Sequence, residues 1–129
     1  MRTILIGEDD EFLLQLMKMA LTMEGFHVKV ARDGHSALAL ALAAERPDAL
    51  LLDIYFPGVS GTEVLRALRR RDATRDLPVV LMSGTDQSRS TLEGAQAFVR
   101  KPFTIASVVG TMKALLRPAP CRVLKNAAS

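Results

Sequence analysis

The chain's 129 residues, 49% of them hydrophobic and 24% charged, indicate one globular domain whose core makes disulfides or a structural metal unnecessary. The net charge of +3 comes wholly from Arg117, Arg122 and Lys125, because the other acidic and basic residues balance, so we expect no direct nucleic-acid binding. A single cysteine, Cys121, and the lack of an apolar run long enough for a signal or membrane segment favour a cytoplasmic protein with no membrane association.

The apolar pattern alternates strand-like runs with helical stretches, which is typical of a parallel α/β sheet. We predict strands at Thr3–Ile6, Phe26–Val30, Ala49–Leu52, Pro78–Met82 and Ala97–Val99. We predict helices at Glu11–Glu24, His35–Glu45, from the Ser60 cap through Arg71, at Asp86–Glu93 and at Thr104–Leu116. This alternation predicts a doubly wound five-stranded sheet. The fourth helix should be short or irregular, because residues 83–90 are poor in helix formers.

Polar residues stand where four of the predicted strands end. They are Gly7-Glu8-Asp9-Asp10, Asp53, Ser83-Gly84 and Arg100-Lys101-Pro102. The carboxyl ends of parallel strands share one edge of the sheet, where ligands bind, so these groups should meet in one crevice. Clustered carboxylates repel one another, and Mg²⁺ resolves that repulsion through oxygen ligands and a phosphate. With Ser83 and Lys101 available to contact a phosphoryl group, the crevice predicts Mg²⁺-assisted phosphoryl transfer.

Each of these features also has a purely structural explanation when it is taken alone. An acidic run is common at a solvated helix start, where the helix dipole favours negative charge. Asp53 alone fits a turn residue, and Lys101-Pro102 alone carries little information. Their occurrence together at the strand ends, in this order, favours the phosphoryl-transfer site.

These motifs resemble those of the receiver domains of two-component response regulators, including single-domain, chemotaxis-type regulators. The resemblance rests on ILIGEDD, LLLDIYFPGVSG, PVVLMSG and FVRKPF, and on Asp53, Pro57 and Gly61 in a D-x-x-x-P-x-x-x-G pattern. It covers residues 1 to about 117 and implies a flavodoxin-like fold with strand order 2-1-3-4-5 and helices on both faces. Residues 118–129 would then be a basic tail or a truncated linker, since no effector domain follows in this sequence.

The resemblance implies that Asp53 is the phosphoacceptor of a phosphorelay. It would take a phosphoryl group from a sensor histidine kinase, a histidine phosphotransfer protein or a small phosphodonor. The resemblance also implies that Glu8, Asp9, Asp53 and the backbone carbonyl of Tyr55 hold Mg²⁺ or Mn²⁺. Asp10 lies just outside this set, where it would support the ligands or supply charge at the helix N-terminus.

The resemblance further implies that Ser83 and Lys101 contact the phosphoryl group. Ser83 would be the switch hydroxyl and Phe98 the aromatic switch, although Phe98 also fits a simple core position. Gly84 should leave the site open to a donor.

The residue types at two further positions bear on the lifetime of the phosphoryl group. We assign Tyr55 and Thr85 to the tuning of dephosphorylation, and we expect the Tyr55 ring to shield an acyl phosphate and slow its hydrolysis.

Such a domain is a signalling phosphoacceptor rather than an enzyme, with self-phosphorylation and self-dephosphorylation as its chemistry. It would bind an unidentified downstream protein differently in its two states, as a monomer or weak homodimer. Two alternatives stay open: a degenerate receiver that only mediates protein contacts, and a phosphohydrolase with an aspartyl nucleophile. Haloacid-dehalogenase-type phosphohydrolases usually carry a second aspartate two residues after the nucleophile, where this chain has Tyr55.

Several local expectations follow from individual residues. Gly7 should weaken the end of the first strand. If Leu13, Met17 and Ala20 face the sheet, Leu14 and Met19 face outward and could form a contact patch for a phosphodonor protein. A cluster of arginines should be a solvated helix end: Arg66, Arg69, Arg70 and Arg71.

The segment from Ser83 to Lys101 is about one helical turn shorter than is usual in the family. We therefore hypothesise that residues 84–96 carry an order–disorder change.

Overall fold

Five parallel strands form one sheet in the computed structural model, which describes residues 2–116. The strands are β1 (Thr3–Gly7), β2 (His27–Ala31), β3 (Ala49–Asp53), β4 (Val79–Ser83) and β5 (Ala97–Arg100). They lie in the order β2-β1-β3-β4-β5, which confirms the predicted doubly wound topology. Cys121 and the predicted basic tail at 118–129 lie outside the described residues.

Five helices flank the sheet: α1 (Glu11–Met23), α2 (Gly34–Ala41), α3 (Gly61–Arg69), α4 (Arg89–Leu92) and α5 (Ile105–Leu116). The four-residue α4 confirms the expectation of a short fourth helix. The predicted ends of α2 and α3 were too late by four and two residues, because the sequence holds no stop signal inside either helical run. Within residues 2–116, no helix has both the length and the apolar character needed to cross a bilayer.

The core has two halves, one on each face of the sheet, because successive side chains of a strand point to opposite faces. On β1, Leu5 packs with residues of α2 and α3, whereas Ile4 and Ile6 pack with residues of α1 and α5. All five residues of β3 and of β4 are buried, as expected for central strands covered on both faces. This burial holds the carboxyl ends of β3 and β4 at fixed positions.

The side of α1 that faces the sheet differs from the expectation. Leu14, Met17 and Leu21 are buried, so the prediction that Leu14 faces outward was wrong. The inward stripe follows the i, i+3, i+7 spacing that starts at Leu14, one position later than expected. Met19 is exposed as predicted, and the outer face also carries other large apolar side chains: Phe12, Leu16 and Met23.

Arg69 is not the solvated helix-end residue that the sequence suggested. Its guanidinium donates hydrogen bonds to the backbone oxygens of Gly94 and Thr74 and to the side-chain oxygen of Gln96. Gln96 in turn accepts a hydrogen bond from the backbone N–H of Val79 at 2.7 Å. Arg69 therefore ties the segment after the short α4 to α3 and to the start of β4.

Gly7 is closely packed rather than loose. The strand continues through Gly7, and the next residue, Glu8, donates its backbone N–H to Ala31 at 3.0 Å. A Cβ atom at position 7 would lie 2.8 Å from a methyl carbon of Leu52 and 3.2 Å from the ring of Phe56. The missing side chain leaves the space that the buried Phe56 ring occupies, so the expected weakening of this strand end is offset by packing.

We predict that Gly7→Val lowers the free energy of unfolding by about 1–3 kcal/mol through overpacking. A second substitution, Phe56→Leu, should recover part of that loss, because it vacates the space beside position 7. Urea unfolding of the two single variants and the double variant measures the coupling.

Gly110 supplies the control for this cycle. A Cβ atom there meets no atom within 4 Å, and position 110 lies inside α5. Gly110→Ala should raise the free energy of unfolding by about 0.5–1 kcal/mol. Strictly additive effects of Gly7→Val and Phe56→Leu would contradict the packing explanation.

Candidate functional site

Asp53 ends β3 and lies almost buried, with 5% of its surface exposed. One carboxylate oxygen, Oδ1, accepts a hydrogen bond from the backbone N–H of Tyr55 at 3.0 Å. The other, Oδ2, lies 3.0 Å from the ammonium nitrogen of Lys101. Gly61, at the start of α3, packs on the Asp53 backbone so closely that any Cβ atom would collide with the Asp53 carbonyl oxygen. The position of Asp53 is thus fixed by the packing of Gly61 on its backbone and by the contacts of its carboxylate with Tyr55 and Lys101.

Lys101 connects the ends of three strands. Its backbone N–H donates to the carbonyl of Ser83, the last residue of β4, at 2.7 Å. Its ammonium group donates to Glu8 at 2.8 Å and to Asp53 at 3.0 Å, which follow β1 and end β3 respectively. The sequence therefore predicted correctly that these charged groups meet at one edge of the sheet.

Burial dominates the electrostatics of Glu8, which is 1% exposed. Burial, together with the nearby Asp53 charge, raises the pKa of the Glu8 carboxyl to about 7 despite the hydrogen bond from Lys101. Burial acts to lower the pKa of Lys101, but hydrogen bonds to Glu8 and Asp53 outweigh it, so that pKa is raised. Glu8 therefore gains a proton more readily than an exposed carboxylate does.

Glu8, Asp9 and Asp53 bring carboxylate oxygens within 4.8 Å of one another. Glu8 and Asp53 are buried and Asp9 is exposed, so the cluster opens to solvent on the Asp9 side. An all-oxygen set with one open side suits a hard divalent cation that keeps several waters. These residues fit the Mg²⁺ or Mn²⁺ that the sequence analysis expects.

The next two acidic residues do not join that cluster. The Asp10 side chain caps α1 by accepting hydrogen bonds from the backbone N–H groups of Phe12 and Leu13. Glu11 pairs with Arg32, with N···O distances of 2.7 and 2.9 Å. The structure thus places the Asp10 side chain at the helix N-terminus, and the Asp10 backbone N–H donates to the Glu8 carboxylate at 3.2 Å.

Ser83 is fully buried at the end of β4, and its hydroxyl faces the following loop. The hydroxyl oxygen accepts a hydrogen bond from the backbone N–H of Thr85 at 3.1 Å and lies 3.2 Å from the Thr85 hydroxyl. The side-chain amide of Gln87 also donates to it at 3.1 Å. Ser83 and Thr85, both singled out from the sequence, thus belong to one network with Gln87.

Gln87 is the residue that sequence reasoning missed. Its amide nitrogen lies 3.1 Å from the Tyr55 hydroxyl, so it connects the loop after β3 with the loop after β4. A glutamine in a segment poor in helix formers gives no signal of its own. Its reach depends on the path of residues 84–88, which the sequence pattern does not predict.

The model of the response regulator receiver domain family matches residues 4–113. The chain belongs to this family. The receiver domain thus occupies nearly all of the described residues. The boundary we predicted at residue 117 lies just outside them and stays a prediction.

Named relatives of this receiver domain include transcriptional regulators. The chain is 39% identical over 119 residues to the probable transcriptional regulatory protein TcrX of Mycobacterium tuberculosis, covering 89% of this chain and 50% of TcrX. It is 37% identical over 127 residues to the phosphate regulon transcriptional regulatory protein PhoB of Rhizobium meliloti, covering 95% of this chain and 56% of PhoB. The chain therefore spans about half the length of these relatives.

Solved receiver-type structures share the fold. Response regulator protein TrrA of Thermotoga maritima, solved in complex with Mg²⁺ and BeF, superposes with a TM-score of 0.80 at 30% identity. That match covers 90% of this chain and all of TrrA. The chemotaxis protein CheY4 of Vibrio cholerae gives a TM-score of 0.80 at 26% identity, covering 90% of this chain and 99% of CheY4.

Phe98 and Gly84 complete the set of residues expected in the receiver site. Phe98 lies opposite Leu81 in the β4–β5 pairing, is partly buried and packs against the core half that holds α2 and α3. Gly84 is exposed, and a Cβ atom there would meet nothing within 4 Å. Position 84 thus adds no side chain beside Ser83, and access of a phosphodonor there stays a prediction.

We predict that Glu8→Gln raises the free energy of unfolding at pH 8 by about 1–3 kcal/mol in the presence of EDTA. The folded-state pKa of Glu8 lies near 7, above its ordinary value of 4.5, so the stability linked to Glu8 is present below pH 4.5 and is lost as the pH rises through 7. Glutamine removes that loss. Urea unfolding at pH 5 and pH 8 measures the difference.

The exposed Glu63 on α3 supplies the matched control, since Glu63→Gln should change stability little at either pH. Equal effects of Glu8→Gln at pH 5 and pH 8 would contradict the assignment of a buried, hard-to-ionise carboxylate.

Proposed function

We propose that the chain is the phosphoacceptor receiver of a two-component phosphorelay, with Asp53 as the acceptor. The observation that carries this proposal is the fixed, nearly buried Asp53 carboxylate between the Lys101 ammonium and the Tyr55 backbone N–H. Family membership and the all-oxygen acidic cluster support it. The phosphodonor would be the phosphohistidine of a histidine kinase or phosphotransfer protein, or a small acyl phosphate.

The chemistry requires charge to be neutralised around the incoming phosphoryl group. Glu8, Asp9, Asp53 and the backbone carbonyl of Tyr55 would hold Mg²⁺, which would supply positive charge to offset the negative charge of the phosphoryl group. Lys101 would keep its ammonium group at the acceptor and exchange part of its contact with Asp53 for a phosphoryl oxygen. In the proposed reaction, an Asp53 carboxylate oxygen attacks phosphorus as the bond to the donor breaks.

Ser83 and Phe98 would convert this chemistry into a change of shape. The Ser83 hydroxyl would turn from the loop toward a phosphoryl oxygen, and the partly buried Phe98 ring would adjust to that movement. A signal of this kind requires the phosphoryl group to interact more favourably with one state than with the other.

The expected partners follow from this proposal. The downstream protein, the monomeric or weakly dimeric state and the cytoplasmic location stay predictions.

We predict that acetyl phosphate with Mg²⁺ adds one phosphoryl group to the wild type and none to Asp53→Ala, as read by intact mass. The exposed Asp72, in the turn after α3, gives the control, because Asp72→Ala should be labelled like the wild type. Equal labelling of Asp53→Ala would contradict the assignment of the acceptor. An unlabelled wild type would favour the alternative in which the domain only mediates protein contacts.

We propose that the Tyr55 ring slows the loss of the phosphoryl group. Its side chain reaches from the Asp53 loop to Gln87, and 62% of its surface is exposed. We predict that Tyr55→Asn shortens the phosphoryl half-life roughly tenfold, which corresponds to a barrier lower by about 1.4 kcal/mol.

The decay of phosphorylated protein after donor removal measures this half-life. Phe12→Asn, which removes another exposed aromatic ring, should leave it unchanged. An equal or longer half-life in Tyr55→Asn would refute shielding by the Tyr55 ring.

A further inference from the structure

The side-chain amide of Gln87 lies at the centre of a hydrogen-bond network that no receiver motif in this sequence assigns. Gln87 is partly buried in the loop between β4 and α4. Its nitrogen lies 2.9 Å from the Thr85 hydroxyl, 3.1 Å from both the Ser83 and the Tyr55 hydroxyls, and 3.4 Å from the Thr85 carbonyl. An amide nitrogen carries only two hydrogens, so these acceptors share them, and a change at one acceptor alters the bonds to the others.

The hydrogen bonds of Ser83 leave its hydroxyl fully engaged. The oxygen has two lone pairs, which accept from the Thr85 backbone N–H and from the Gln87 amide. Its single hydrogen is then left for the Thr85 hydroxyl, 3.2 Å away. The hydroxyl therefore cannot donate to a phosphoryl oxygen on Asp53 without breaking this arrangement.

Tyr55, in the loop after β3, also takes part in the hydrogen-bond network of Gln87. Its backbone N–H donates to Asp53, while its phenol accepts from Gln87 in the loop after β4. Asp53 is paired in the sheet with Met82, the neighbour of Ser83, so the two loops flank the acceptor directly. The Tyr55 side chain thus reaches from the loop after β3 to the loop after β4, where its phenol contacts Gln87.

We propose that Gln87 is a positioning residue that links the Tyr55 ring to the Ser83 hydroxyl, so that movement of Ser83 toward a phosphoryl group releases the ring. The contacts of Gln87 with Tyr55 and Ser83 form what we call the Gln87 bridge. The link to phosphorylation rests on the proposed function. The bridge itself belongs to the unmodified protein.

The consequence is that the position of the Ser83 hydroxyl affects the mobility of the Tyr55 ring. While Ser83 faces the loop, the bridge holds the ring across the site. When Ser83 turns toward Asp53, Gln87 loses its buried acceptor and the bridge keeps only exposed partners, which compete with water. The phenol end of the ring then moves more freely, but the ring stays attached two residues after Asp53, so its bulk still shields the acyl phosphate.

Intrinsic fluorescence reports this ring directly, because Tyr55 is the only tyrosine and the sequence has no tryptophan. We expect the steady-state anisotropy of the unmodified protein to fall in Gln87→Ala, and to fall in Ser83→Ala by part of that change. Beryllofluoride with Mg²⁺ should lower the anisotropy of the wild type and leave that of Gln87→Ala unchanged.

Gln15→Ala is the matched control, since the Gln15 side chain lies on the exposed surface of α1 and its amide contacts Glu11. It should keep both the wild-type anisotropy and the wild-type response to beryllofluoride. Thermal melting of each variant separates a local change from a loss of the fold.

The outcomes that overturn the proposal are distinct. Unchanged anisotropy in Gln87→Ala would show that Gln87 does not hold the ring, and unchanged anisotropy in Ser83→Ala would refute the link to Ser83. If ¹⁹F NMR detects bound beryllofluoride while the wild-type anisotropy stays constant, release by the modified state is refuted. Absence of bound beryllofluoride would count against the proposed function. The anisotropy of Gln87→Ala and Ser83→Ala, measured without beryllofluoride, would still show whether the Gln87 bridge exists.

Discussion

Lys101 places its ammonium group between two nearly buried carboxylates, those of Glu8 and Asp53, which belong to different strands. Without a cation, two such carboxylates at the edge of a packed sheet would repel each other and lose their hydration together. The Lys101 contact lowers that cost but does not remove it, because burial still raises the pKa of Glu8 to about 7. The site is therefore short of positive charge, which is the condition under which a divalent cation binds best.

The backbone around Asp53 is as constrained as its carboxylate. Gly61 lets α3 begin directly against the Asp53 carbonyl, and Gly7 leaves space for the ring of Phe56. Both glycines act through the side chains they lack. Together they let the loop after β3 fold back over its own strand, which aims the Tyr55 N–H at the Asp53 carboxylate.

The sequence predicted those parts of the molecule that depend on regular periodicity. Asp53 and Lys101 were placed at one edge because the strands before them are uninterrupted apolar runs, and parallel strands align their ends. Leu14 was placed wrongly because α1 is apolar on most of its surface, so a stripe shifted by one residue fits the pattern equally well. Gln87 could not be found, since its role follows from an irregular loop and from contacts between residues far apart in the chain.

The shortness of α4 affects how the loop before it is arranged. With only four helical residues after the loop, the region lacks the packing of a full helix, and Arg69 substitutes for part of it by binding the Gly94 carbonyl from α3. Residues 84–88, freed from a helical path, bring the Gln87 amide back over Ser83 and toward Tyr55. The segment that contains the short α4 is thus the same one that brings the Gln87 amide close to Ser83 and Tyr55.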